Sequence, residues 1–289
     1  ELFNEFQGIV DGAQVDFDKL FTYQSFDEFD SYLEAGNHFK TTEGNCTTTG
    51  VFGRENEANF LTHNNDLPSY HENAVTVLTI KNLNSDLVIL QQTFAGQMGQ
   101  NGVNNYGVAV GINTIIDMPV SNKGIPVSFN VRKILESKNI PEALEYLKKV
   151  DFGTSMNYLI ADREIAIAVE TWEDNIEVID NTKQHYIAHT NHTLQENAPV
   201  IFEIDEDEND GSFGYTHERL NLANAVLGGG AKNIDFEGLR ELKLTRPILN
   251  SNTIMGTIIS IPKKGLPILW TTPGSPNLFG HVKFTFDEN

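Results

Sequence analysis

Cysteine is almost absent: 289 residues hold one, Cys46. A single thiol closes no internal disulfide, and one cysteine fits either redox compartment. Basic residues are scarce as well. Twenty Lys and Arg face forty Asp and Glu, a net charge of −20 at pH 7. That argues against nucleic acid and anionic membrane as partners, because neutralising phosphates takes clustered cations. A charge of this size speaks for solubility rather than for fold. Long apolar runs are missing too: none reaches the roughly 18 residues of a membrane span. The expectation is a soluble protein, cytoplasmic or secreted, since a chain that starts at Glu1 leaves room for a signal peptide ahead of it. Neither an internal repeat nor a low-complexity linker interrupts the sequence, which reads as one domain, 1–289.

What is present suffices for a sizeable core: 39% of residues are hydrophobic and 10% aromatic. Residues 1–45 have apolar positions at roughly helical spacing, broken at Gly12 and Gly36. Beyond Cys46 the pattern changes to short alternating or apolar runs, 58–66, 74–82, 86–95 and 106–116, which predict strands. Two helices follow in 127–139 and 141–150, with Pro141 in a first turn that tolerates it. Segments 156–162, 164–172, 175–180 and 184–190 predict a meander. The stretch 215–227 predicts a helix stopped by Gly228, Gly229 and Gly230, and 235–243 predicts another. Three strands close the chain. Strands, then helices, then strands again argue for an α+β fold with antiparallel sheets. The acidic run 202–211 lacks EF-hand spacing and reads as a solvated turn.

The lone cysteine sits in EGNCTTTGVFG, residues 43–53. Its neighbours are small and polar and carry no apolar period, so an accessible, reactive thiol is expected rather than a packed one. Cysteine catalysis normally uses a neighbouring His. None of the eight histidines falls in a local signature tied to Cys46, and the papain-type signature is absent. Cleavage between Asn45 and Cys46 offers another route. Cys46 then becomes an N-terminus whose α-amino group, with a reference pKa of about 7.7–8.0, is suited to act as general base at neutral pH. One residue supplies nucleophile and base, with no cofactor.

The sequence resembles the acyl-coenzyme A:6-aminopenicillanate acyltransferase family of N-terminal-nucleophile hydrolases. The resemblance rests on CTTTG at Cys46, NND ending at Asp66, AGQMGQNGVNNYGVAVGIN from Ala95 to Asn113, GIPVSFNVRKILES at 124–137 and HTNHTL at 189–194. GIVDGAQVDFDKL, at 8–20, resembles the segment that precedes the nucleophile. The pieces occur in the family's order over most of the chain. The resemblance implies a four-layer αββα sandwich, with the nucleophile opening a central strand. It also implies self-cleavage into residues 1–45 and 46–289, and action on linear amide bonds through an acyl-cysteine.

Carried over by position, Cys46 is the nucleophile. Asp66 supports its amino group, and Asn191 donates to the oxyanion. Asn104 and Asn105 are expected in a loop lining the pocket. Ser251 and Asn252 stand where the family has a Ser–Arg pair for processing or substrate binding, so a guanidinium is missing there. Asn45 replaces the family's usual Gly before the nucleophile. His189 and His192 read as structural, and their i, i+3 spacing without a carboxylate speaks against a metal site. Hydrolysis of an N-acylated small molecule is the expected activity. Transfer of the acyl group to an amine, with acyl-coenzyme A as a candidate donor, is the alternative. An unprocessed binding module is the third reading. Phe60, Tyr70, Phe94, Tyr106 and Trp270 are candidates for an apolar acyl pocket or for ordinary core.

Overall fold

Three short helices open the chain: α1 (Leu2–Ala13), α2 (Phe17–Gln24) and α3 (Phe26–Asn37). The computed structural model describes residues 2–37, 45–53, 58–121, 123–204 and 215–286. The helical breaks fall at Gln14, in the left-handed region at φ 55°, and at Ser25 rather than at Gly12 and Gly36. Asp16 sets the first of them by capping α2, its carboxylate accepting from the Lys19 amide at 3.0 Å.

The remaining elements follow in order. They are β1 (Asn45–Val51), β2 (Asn59–Asp66), β3 (Val75–Lys81), β4 (Val88–Phe94), β5 (Asn101–Asn104), β6 (Ala109–Thr114), α4 (Val127–Leu135) and α5 (Ile140–Leu147). Then come β7 (Met156–Ala161), β8 (Ala166–Trp172), β9 (Asn175–Ile179), β10 (Tyr186–His189), α6 (Thr216–Gly228), α7 (Phe236–Leu244), β11 (Thr253–Ile261), β12 (Ile268–Thr271) and β13 (Val282–Phe284). One sheet runs β10-β1-β2-β11-β12-β13 and the other β3-β4-β5-β6-β7-β8-β9. The paired strands within each sheet are antiparallel.

Three apolar layers hold the sheets and helices together. Leu61 and Ile259 of the first sheet meet Leu90, Val103, Leu159 and Ala168 of the second. Gly50 allows the sheets to close, because a Cβ there would stand 2.6 Å from the Ala166 Cβ. Val131, Ile134 and Leu147 of α4 and α5 cover the outer face of the second sheet on Val110, Ile112 and Ile160. Leu220, Ala223, Leu227, Leu239 and Leu242 of α6 and α7 cover the first sheet on Val51 and Ile258. Each fully buried aliphatic side chain contributes about 1.5–3 kcal/mol. The result is the expected four-layer αββα sandwich.

Two strands depart from their local pattern. β5 forms where Gly102 and two asparagines read as loop, and Asn104 is its last residue. β10 ends the meander by leaving the second sheet to pair with β1. The acidic run 202–211 falls largely outside the described residues.

Candidate active site

β1 is polar along most of its length, and its position explains how it holds a strand. It pairs with β2 on one edge and β10 on the other. Side chains alternate across it with period two. Thr48 donates to Asn113 Oδ1 of the second sheet at 2.6 Å, and Gly50 faces Ala166, so Cys46 shares the inward face. Asn45 and Thr47 face the α6 layer, where both meet Arg219.

Cys46 is 6% exposed, which corrects the expectation of an accessible thiol. Its strand has neighbours on both edges and a second sheet across its inner face, so polar neighbours in sequence do not mean solvent in space. The thiol donates to Asn65 Oδ1 at 3.4 Å. Burial first, then the charge of Asp66, pushes the thiol well above its usual range, against the pull of Arg219 and of the Asp66 amide. In the continuous chain the thiol therefore carries its proton at neutral pH and needs an acceptor to become a nucleophile.

Asn191 follows β10 and lies against the nucleophile's backbone. The Cys46 amide donates to its Oδ1 at 2.9 Å. The same oxygen accepts from Arg219 Nη2 at 2.7 Å, and Nδ2 donates to the Thr114 carbonyl at 2.9 Å. Its backbone is tied as well, N–H to Thr216 Oγ1 at 2.8 Å and the carbonyl to the Ile116 amide at 3.0 Å. Arg219, from α6, is fully buried. Its guanidinium also donates to the Cys46 carbonyl, to Thr47 Oγ1 at 2.9 Å and to Asn45 Oδ1 at 3.5 Å. It thus bridges the two residues of the Asn45–Cys46 peptide.

Asp66 ends β2 directly across from Asn45. Thr253 Oγ1 donates to its Oδ1 at 2.5 Å, and Asn250 Nδ2 donates to its Oδ2 at 2.7 Å. Burial raises its pKa, while the Arg219 charge, these two bonds and the Lys243 charge oppose the rise. Ser251 and Asn252 form the turn between those two ligands, and the Asn252 carbonyl accepts from the Leu67 amide at 2.9 Å. Asn104 and Asn105 lie elsewhere. Asn104 Nδ2 donates to the Leu135 and Ser137 carbonyls and its Oδ1 accepts from the Gly107 and Val108 amides. Asn105 joins the Val88 amide to the Asp86 carbonyl. Both brace a turn by α4, and neither touches Cys46 or its partners.

Arg219 and Lys243 escaped the sequence reading, although a signal was there. Thr216, Arg219, Leu220, Ala223 and Leu227 form the buried stripe of α6, at helical spacing. In α7 the buried stripe is Leu239, Leu242 and Lys243. A cation on an apolar stripe has a buried partner to find. Lys243 Nζ donates to the His63 and Thr257 carbonyls at 2.7 and 2.9 Å, behind Asp66. The aromatic candidates do not converge on Cys46. Phe60 belongs to the α6–α7 layer, Trp270 packs 4.9 Å from Phe236, and Phe94 lies 5.0 Å from His71. Tyr70 is exposed and Tyr106 donates to Asp86.

The opening helices dock beside this site through buried polar groups. Gln24 donates to the Gly96 carbonyl at 2.7 Å and accepts from the Met98 amide at 2.8 Å. Glu28 accepts from the Val127 amide at 2.8 Å, and its other carboxyl oxygen is buried without a partner among the described residues. Burial first, then Asp30, raises Asp27 to about 7. Burial first, then Asp27, raises Glu28 to about 8. Both values exceed the usual 4 or so for an unfolded carboxylate. Docking is therefore favoured by the protonated forms. This contribution is complete below about pH 4 and is lost as pH rises through about 7 to 8. Amide exchange of α3 is expected to be faster at pH 9 than at pH 5, after correction for intrinsic rates. Glu28→Gln is expected to flatten that dependence, and an unchanged slope in this variant would refute the assignment.

Among the described residues no group of three or more His, Cys, Asp and Glu could hold a metal, and no helix is long and apolar enough to cross a membrane. Residues 53–209 match the family model described as acyl-coenzyme A:6-aminopenicillanic acid acyl-transferase. No curated protein matches the sequence. Among solved structures, the Caenorhabditis elegans N-acylethanolamine-hydrolyzing acid amidase ortholog is similar at TM-score 0.58 and 16% identity, over 83% of this chain and 100% of that one. Penicillin V acylase from Agrobacterium tumefaciens follows at 0.56 and 11% identity, over 84% and 87%. A variant of conjugated bile acid hydrolase from Clostridium perfringens gives 0.52 and 14%, over 84% and 97%. At these identities the likeness is one of fold, and that fold is the N-terminal-nucleophile hydrolase fold.

Proposed function

The chain belongs to the acyl-coenzyme A:6-aminopenicillanic acid acyl-transferase family, and from that premise we propose that it is a self-processed, cysteine-dependent hydrolase of linear amide bonds in N-acylated small molecules. The three structural relatives are named as an amidase, an acylase and a hydrolase, which supports an amide substrate. The single domain 1–289 is cut between Asn45 and Cys46. The observation that carries the reading is the hydrogen bond from the Cys46 amide to Asn191 Oδ1 at 2.9 Å. That nitrogen becomes the α-amine after the cut, already beside the thiol it must deprotonate and the side chain that meets the substrate carbonyl.

In the first stage the Cys46 thiol attacks the Asn45 carbonyl. The S–C bond forms and the peptide C–N bond breaks, the thiol proton passing to the leaving Cys46 nitrogen, which becomes the free α-amine; water then hydrolyses the thioester to the Asn45 carboxylate and the Cys46 thiol. Arg219 holds the Asn45 and Cys46 oxygens during this step, which lets Asn stand where the family has Gly. In turnover the α-amine takes the thiol proton, and sulfur adds to the amide carbonyl of the substrate. Asn191 Nδ2 donates to the oxyanion. The amine returns its proton to the leaving nitrogen, the C–N bond breaks, and water releases the acyl group from sulfur. Water is the acceptor in this reading because position 252 carries Asn in place of the Arg that would anchor a charged partner.

Asp66 keeps a negative charge near the developing ammonium. Asp66→Asn keeps nearly the same volume and two hydrogen-bonding atoms but removes that charge. It is expected to lower amide turnover by at least tenfold while the melting temperature moves little. Asp174→Asn, at an exposed turn, is the control. Equal activity in both variants would remove Asp66 from the mechanism. The function itself is tested by incubating cleaved protein with N-acyl amino acids, penicillins and bile-acid amides and measuring free acid and amine. No release from any of them by a protein that also stays uncut would favour the binding module.

A further inference from the structure

The turn that carries Asn191 is gripped by a buried histidine and a buried glutamate from opposite sheets. His189, at the end of β10, and Glu170, in β8, are fully buried. His189 Nε2 stands 2.8 Å from Glu170 Oε1, and its Nδ1 stands 2.8 Å from the Thr190 carbonyl oxygen. A carbonyl oxygen only accepts. Glu170 is also an acceptor here, taking Thr193 Oγ1 at 2.6 Å and the Leu194 amide at 2.7 Å. A neutral imidazole has one N–H and one lone pair. Either neutral tautomer would turn a lone pair toward an acceptor, in a place without solvent. With Glu170 a carboxylate, only the doubly protonated ring satisfies both contacts.

We infer that His189 is an imidazolium, and that its ion pair with Glu170 is the positioning device that sets Asn191 against the nucleophile. The pair grips the turn at both ends, at His189 before Asn191 and at Thr193 and Leu194 after it. Burial works against the Glu170 carboxylate, but His189, Thr193 and the Leu194 amide hold it below the ordinary glutamate range. The other charged and titratable groups around the pair fit this assignment. Asp117 accepts from the Thr193 amide at 3.1 Å; burial first raises its pKa, against the pull of that amide and of the His189 charge. On the α6 side stand Arg219 and His217, and His192 packs 4.1 Å from His217. His192 is held neutral, lowered to about 3 by burial first and then by His217, His189 and Arg219. The catalytic meaning of the device rests on the proposed reading of Asn191 as the amide that meets the reacting carbonyl.

The test is an NMR titration of the full chain, labelled at histidine and asparagine side chains. At pH 7 both ring nitrogens of His189 are expected to be protonated. On raising the pH, the Asn191 side-chain amide resonance is expected to move with the same midpoint as the His189 ring. Glu170→Gln keeps the shape and one acceptor oxygen but drops the charge, and is expected to move both midpoints to lower pH by at least about one unit. In an active protein the same variant lowers kcat about tenfold with KM unchanged, and the alkaline limb of the rate profile shifts with the midpoint. A structural brace alone would lower stability without shifting that limb. A single neutral tautomer of His189 at pH 7, or an Asn191 resonance indifferent to its titration, overturns the inference. If Glu170→Gln does not fold, the wild-type titration decides. Neither NMR readout needs turnover. An inactive, uncut protein with coupled titrations would sink the hydrolase reading and leave this one standing; an active enzyme with neutral His189 would do the reverse.

Discussion

Cys46→Ala protein is expected to remain one chain of 289 residues and to hydrolyse amides no faster than solvent does. Both stages of the proposed chemistry pass through one sulfur atom, so no second group can carry a fraction of either. The loss should not be one of folding. The thiol makes one long contact, to Asn65 Oδ1 at 3.4 Å, whereas the backbone of Cys46 holds the bonds to Asn191 and Arg219. Alanine keeps those backbone bonds. Mass spectrometry reads the chain, a thermal melt within a few degrees of wild type reads the fold, and release of amine reads the activity. Cleavage of the alanine variant at the wild-type rate would assign the cut to another group.

Asn191→Ala is expected to cut kcat by roughly 10² to 10³, the scale for removing one oxyanion donor, with little change in KM. The ground-state carbonyl makes the weaker contact, so the loss belongs to the transition state. The structure adds a second cost. Asn191 Oδ1 also receives Arg219 and the Cys46 amide, and the alanine variant removes one acceptor from a buried guanidinium and one from that amide. Asn191→Asp separates the two effects. Its carboxylate would pair with Arg219 and preserve the fold, yet it would put a negative charge where the oxyanion grows. A well-folded aspartate variant with kcat as low as that of the alanine variant fits the proposed role. One that turns over at the wild-type rate would move the oxyanion hole elsewhere. An alanine variant that raises KM alone would make Asn191 a substrate-binding residue.

Much of the fold was legible because the second sheet obeys simple patterning. β3, β4, β6, β7 and β8 alternate or run apolar between turn residues, and each lies within the segment that pattern predicts. β1 was illegible from its own residues. NCTTTGV has almost no apolar content and is a strand because β2, β10 and the second sheet enclose it. Burial imposed by partners distant in sequence also reversed the expected exposure of the thiol. The resemblance of CTTTG, NND and HTNHTL to the family brought Cys46, Asp66 and Asn191 to notice. It says nothing of Arg219, which reaches the cluster from a helix far along the chain. Asn104 and Asn105 lie apart from that cluster. Asparagines beside Gly102 suggest a ligand-facing loop, but their side chains satisfy backbone groups at a strand end, the commonest use of asparagine in a turn.

The central claim is that Cys46 becomes an N-terminus and works from there. Intact-mass measurement with N-terminal sequencing of fresh wild-type protein, held at neutral pH, addresses it most directly. A fragment of residues 46–289 that begins with an unblocked Cys46, and is absent from Cys46→Ala, is the result predicted. A wild-type chain that stays whole through long incubation, yet hydrolyses an amide, would contradict it.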